Sequence, residues 1–229
     1  VSGAEGSLCA ELRAGSDAIW ASLHEHPFVR ELAAGTLPLE RFRFYLEQNL
    51  MYLPEYARAI ALGAARAGDV DELGRFSDAL ASVVAEEIPK DRELLARVIE
   101  LGAEDRGGAR AMAPATLAYT SFLLSTAYRA GPLEILTAIM PCAWSYGEIA
   151  DRLRDRIAPH PVYASWVGFF AGGQYEDVVR ELRAQLDAMA TGLPPSRRSE
   201  LALLFDMAGR LEHGFWDMAY GLVQWPDLA

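Results

Sequence analysis

In the stretch PLERFRFYLEQNLMYLPEYARAIALGAARAG, the residues Phe42, Tyr45, Leu46, Asn49, Tyr52 and Leu53 recur at three- and four-residue steps. That period stacks side chains along one face of an α-helix and does not fit a strand, whose faces alternate every second residue. Helical periodicity continues through most of the chain, and no strand-like alternation lasts more than a few residues. Pro38 stands where a first-turn proline belongs, and Gly68 marks the far end. Pro54 interrupts the run and is expected to bend it near Leu50, because its ring conflicts with the carbonyl four residues back. A second long helix is predicted over DVDELGRFSDALASVVAEEIPKDRELLARVIELG, with Leu73, Phe76, Leu80, Val83 and Val84 inward and a kink at Pro89. Gly131-Pro132, Gly192 with Pro194-Pro195, and the EDRGGAR segment punctuate the rest. Short connections, with no polar linker and no fixed-period repeat, predict one all-α domain over residues 1–229, a helical bundle. The helices around Cys142 and Met207 are apolar on more than one side, as expected where neighbouring helices or a second subunit enclose them.

Charge narrows the partners. The 32 acidic and 21 basic residues leave a formal charge of −11, which repels phosphate backbones, so no nucleic-acid partner is expected. No apolar run approaches the roughly 20 residues that cross a bilayer, so no membrane partner is expected either. The opening VSGAEGSLCAELRAG lacks a basic region followed by an apolar block, which argues against a signal peptide. Cys9 and Cys142 alone make no disulfide framework and suit a reducing, cytoplasmic setting.

Cys142 directly follows Pro141, which removes the backbone donor for the carbonyl of Thr137. Tyr146 lies one turn further along the same face, with Ser145 beside it. Taken alone, this cysteine reads first as a small buried hydrophobe and second as a nucleophile aimed at a cavity. Glu212 interrupts an apolar, aromatic face three residues before Phe215, which suggests a partner or a task, or else a charge reaching water at the helix edge. Metal ligation finds little support. His24 and His26 point to different helix faces, His160 precedes a proline, and His213 has no spaced partner. EEIPKD lacks the Glu-x-x-His spacing of a di-iron bundle, and no glycine-rich phosphate loop is present. No metal and no cofactor are expected.

HPFVRELAAGTLPLERFRFYLEQN, PCAWSYGE and LEHGFWDMAY, in this order, resemble the TenA/thiaminase II family over nearly the whole chain. The resemblance implies a haem-oxygenase-like all-α fold, a homo-oligomer (tetramer or dimer), and a cofactor-free hydrolase of thiamin salvage. Its small-molecule substrate would be an aminopyrimidine or a thiamin-related compound, cleaved at the C–N bond of the exocyclic methylene. Cys142 falls at the family's nucleophile position and Glu212 at its acid/base position, while Tyr52, Tyr119, Tyr146 and Phe215 match pocket aromatics. Three positions depart from the pattern. Asn49 stands where the family has an acid contacting the pyrimidine, Phe170 where it has a pocket tyrosine, and Asp91 near a family histidine. An amide both donates and accepts hydrogen bonds but cannot relay a proton, so an altered substrate preference is expected. Two other readings stand beside this one: a non-catalytic pyrimidine-binding or regulatory protein, and a relative acting on a different heterocycle.

Overall fold

The computed structural model describes residues 6–108 and 111–226; the first five residues of the expected domain, its last three, and Ala109-Arg110 of the EDRGGAR segment lie outside them. Among the described residues the chain forms eleven α-helices and one π-helical segment, with no strand. They are α1 (Leu8–Gly15), α2 (Asp17–His24), α3 (Pro27–Ala33), α4 (Leu39–Ala65), α5 (Val70–Ala81), α6 (Ile88–Glu100), α7 (Pro114–Arg129), α8 (Pro132–Leu153), α9 (Pro161–Phe170), α10 (Gly173–Met189) and α11 (Pro195–Gly221). Proline opens α3, α7, α8, α9 and α11, at a position where its missing N–H costs no intrahelical bond. Polar caps open others: Asp69 accepts from the Glu72 N–H at 2.7 Å ahead of α5, and Ser7 accepts from the Ala10 N–H at 3.1 Å ahead of α1. Gly192, at φ 77°, supplies the left-handed turn after α10.

Helices α4, α8 and α11 occupy the middle: α4 packs on α5, α6, α7, α8 and α11, and α8 also packs on α9, α10 and α11. Their contact faces are aromatic. Tyr45 of α4 stacks on Trp216 of α11 at 5.4 Å and 7°, and Trp20 of α2 stacks on Phe205 of α11 at 5.2 Å and 8°. Each such pair adds about 0.5–1.5 kcal/mol to its burial.

Several inward assignments need correction. Helix α4 runs unbroken through Pro54. The second long helix is α5 and α6 joined by a π-helical segment, Ser82–Glu87, rather than a simple kink at Pro89. Pro89 cannot donate to the carbonyl of Ala85, and just before it the ladder slips to i→i+5 bonding. The slip turns Val84 outward while Val83 and Glu87 stay buried, and Leu73, near the start of α5, is exposed as well. Met207 is also exposed, on the outer side of α11, so the apolar character of that segment is not fully internal.

Gly63 marks the closest α4–α5 approach, since a Cβ there would lie 2.5 Å from the buried ring of Phe76. Gly63→Ala is expected to cost about 1–3 kcal/mol by overpacking, lowering Tm by roughly 2–12 °C. Thermal denaturation would check this, and an unchanged or higher Tm would contradict the packing described.

Candidate active site

Every residue of α8 from Ile135 to Tyr146 is buried. Ser145 donates its hydroxyl to the Cys142 carbonyl at 3.3 Å, a local helix bond that keeps it away from the thiol. Two tyrosines brace α8 on either side of Cys142: Tyr56 donates to the Ile139 carbonyl at 3.1 Å and Tyr175 to the Ala143 carbonyl at 3.1 Å. Cys142, Ala143, Tyr56, Tyr175 and Glu87 line a cavity of about 20 Å³. That volume holds one water and, with the lining side chains as they stand, nothing larger.

Glu212, 1 % exposed, projects from α11 toward this thiol. Burial raises its carboxyl to about 7, while the Tyr119 hydroxyl, the Cys142 thiol and the Trp216 indole N–H partly offset the rise. The Cys142 thiol is pushed well above its ordinary value by burial first, then by Glu212 and Glu87. Among the described residues, the Tyr52 and Tyr119 hydroxyls and the Trp216 N–H are buried without a partner at full hydrogen-bond geometry. These are donors held near the carboxylate and the thiol, not completed bonds. The resting sulfur is therefore a neutral thiol, and the adjacent carboxyl is tuned to exchange a proton near neutral pH.

The remaining candidates surround this pair. Tyr52 lies 5.0 Å from Tyr119 and 5.7 Å from Phe215, ring to ring. Tyr146 accepts from the Tyr45 hydroxyl at 3.3 Å and meets Phe170 edge-on at 5.0 Å. Phe170 also abuts Tyr175 at 5.0 Å, forming a wall behind Tyr146. Asn49 donates its Nδ2 to Asp91 at 2.8 Å, both side chains being buried. Two departures that looked separate in the sequence are thus one unit. Burial raises the Asp91 carboxyl to about 7, and the bond from Asn49 tempers the rise. Sequence reasoning missed Tyr56, Tyr175 and Glu87. Tyr56 lies one turn after Tyr52 and Glu87 one turn before Asp91, which are usable signals; Tyr175 carries none.

His213 does have partners: its Nδ1 sits 3.0 Å from Asp217 Oδ2, with His26 Nε2 3.2 Å from Asp217 Oδ1. These three are grouped closely enough to suggest a cation. His26 Nδ1, however, accepts from the Phe28 N–H, so its Nε2 keeps the proton and donates to Asp217. The donor set falls short of a metal site. The other two histidines are also occupied: His24 pairs with Glu148 at 3.4 Å, and His160 caps α9. A larger cleft of about 520 Å³, lined by Arg43, Gln48, Arg106 and Trp225, holds no nucleophile among its described lining residues. No helix among the described residues is long and apolar enough to cross a membrane.

Residues 13–222 match the TENA/THI-4/PQQC family. The chain is 34 % identical to an aminopyrimidine aminohydrolase of Halalkalibacterium halodurans, over 96 % of this chain and 98 % of that one. It is 31 % identical to the aminopyrimidine aminohydrolase of Bacillus subtilis, over 96 % and 92 %. Among solved structures, a TenA homologue from P. horikoshii OT3 superposes with a TM-score of 0.82 at 31 % identity, covering 94 % and 99 %. Heme oxygenase 2 from Chlamydomonas reinhardtii superposes at 0.60 with 16 % identity, over 93 % and 97 %, and the bundle is accordingly haem-oxygenase-like.

Proposed function

The chain belongs to the TENA/THI-4/PQQC family, and on that premise we propose that it is a thiamin-salvage hydrolase acting on aminopyrimidines. The observation that carries this reading is the meeting of Cys142 and Glu212, from different helices, in a buried aromatic enclosure. In the reaction, Glu212 takes the thiol proton as sulfur bonds to carbon 6 of the pyrimidine, and passes it to a ring nitrogen. The ring electrons expel the leaving group from the exocyclic methylene with its bonding pair. Water adds to that methylene, and loss of the thiolate restores the aromatic ring. Tyr52, Tyr119, Tyr146, Phe170 and Phe215 provide stacking surface, and the unpartnered hydroxyls of Tyr52 and Tyr119 are donors for ring nitrogens or water.

The reading takes residues 1–229 as one domain, supported by a single continuous core that spans the described helices. It places the protein in the cytoplasm, which its two unpaired cysteines suit. It also includes a homo-oligomer, tetramer or dimer. Leu203 and Met207, one turn apart on α11 and both exposed, support a face covered in the assembly.

The purified protein is expected to release 4-amino-5-hydroxymethyl-2-methylpyrimidine from the 5-aminomethyl compound, from thiamin, or from both. Chromatography of the products tests this, and folded protein that yields none from either substrate overturns the assignment.

A further inference from the structure

Two buried carboxyl groups, Glu87 and Glu212, lie within electrostatic reach of the thiol, and a third, Asp91, acts on Glu87; none of the groups that perturb the three is an arginine, lysine or histidine. Two have tasks: Glu212 faces the sulfur, and Asp91 accepts from Asn49. Glu87 has none. Among the described residues no side chain donates to its carboxylate, its electrostatic neighbours Asp91 and Glu212 are both acids, and it is 93 % withdrawn from solvent (7 % exposed). The adjacent Glu86, by contrast, is bonded to Gln174 at the surface.

A buried carboxylate without a counter-charge is costly, so burial and then the neighbouring acids Asp91 and Glu212 push the Glu87 carboxyl well above its ordinary value, and it ionises only once a cation sits against it. The π-helical slip before Pro89 is nonetheless what keeps Glu87 facing inward, into the cavity it shares with Cys142, Tyr56 and Tyr175. Single π-turns of this kind recur at functional sites. A second observation points to a missing ligand beside the same sulfur, although outside the lining of that cavity: the Tyr52 and Tyr119 hydroxyls, 2 % and 1 % exposed, face Cys142 and Glu212 without a bonding partner among the described residues. Donors without acceptors and an acid without a cation, each adjoining Cys142, suit a flat acceptor-rich ring that carries positive charge at one end.

We propose that Glu87 determines specificity by receiving the positive charge on the substrate's exocyclic methylene, whether a protonated amine or a heteroaromatic cation. This rests on the aminopyrimidine reading above and adds the electrostatic character of the leaving group. Because Glu87 and Cys142 line the same cavity, the leaving group is held beside the sulfur that attacks the ring. Departing as a neutral molecule, it loses its attraction to Glu87 and is released.

The test uses the full chain with Cys142→Ala, which binds without turnover. Calorimetry compares three pyrimidines: the cationic 5-aminomethyl compound, thiamin, and the neutral 5-hydroxymethyl compound. Adding Glu87→Gln is expected to weaken both cations by about 30-fold or more, the scale on which a buried charge pair loses one partner, and the neutral compound by less than about 3-fold. Glu87→Asp keeps the charge and should recover part of the cation binding. Equal losses for all three ligands, or no loss for the cations, overturns the role of Glu87. If the Cys142→Ala protein binds none of them, the aminopyrimidine reading itself fails and this proposal with it.

Discussion

Cys142→Ala is expected to lower kcat by about 10⁴-fold or more, as removal of a nucleophile does, while ligand binding persists. A non-catalytic binding protein would be scarcely affected, so the same variant separates the two classes. Glu212→Gln should cost about 10²–10⁴-fold, the usual worth of a positioned acid/base. Its effect on stability has the opposite sign. The Glu212 carboxyl titrates near 7 in the folded protein, against an ordinary value of 4.5. The folded state therefore holds this proton more tightly than the unfolded chain, and stability declines as pH rises from about 4.5 through 7. Asp91, raised to about 7, adds to the same trend. Above pH 7 glutamine removes the cost of a buried ionised group, on the order of 3 kcal/mol, so Glu212→Gln should melt higher than wild type at pH 8. Near pH 5 the gain should nearly vanish. Activity should rise over this window, since only ionised Glu212 can accept the thiol proton. Melting curves at pH 5, 6, 7 and 8 beside pH–rate profiles decide it: a variant less stable than wild type at pH 8 contradicts the burial argument.

Asn49→Asp looks like a simple restoration when the sequence is compared with the family it resembles. In the folded chain it would set two carboxylates where Nδ2 of Asn49 now meets Asp91 at 2.8 Å. Like charges that close cannot both ionise in a buried site, so one must keep a proton. The single variant is expected to lose about 2–4 kcal/mol at pH 8 and to lose activity with it. Asn49→Asp combined with Asp91→Asn exchanges amide and acid, preserves the bond, and places the carboxylate on α4. That double variant should regain stability to within about 1 kcal/mol of wild type, giving a coupling energy of about 1–3 kcal/mol between the two sites. It should also handle the aminopyrimidine at least as well as wild type. Additive losses in denaturant titrations would mean that the two residues act independently.

Much of the architecture was legible along the chain. The 3.6-residue period and the prolines that open α3, α7, α8, α9 and α11 are local signals, sufficient for an all-α bundle. The outward turn of Val84 was not, because the i→i+5 slip before Pro89 changes which residues share a face. Cys142, Glu212, Tyr52, Tyr119, Tyr146, Phe215 and Asn49 were each visible as candidates, Phe170 entered only with the resemblance, and only the resemblance tied them together. The bond from Asn49 to Asp91 and the isolation of Glu87 left no trace in either local pattern.

Residue order alone determined which faces are apolar, where helices begin, and that a sulfur and a carboxylate interrupt two of those faces. Tertiary structure decided which charges meet without a counter-ion, because solvation and pairing depend on what packs against a side chain and not on its neighbours in sequence. A pattern of period 3.6 states which way a residue points, and only packing states what waits there.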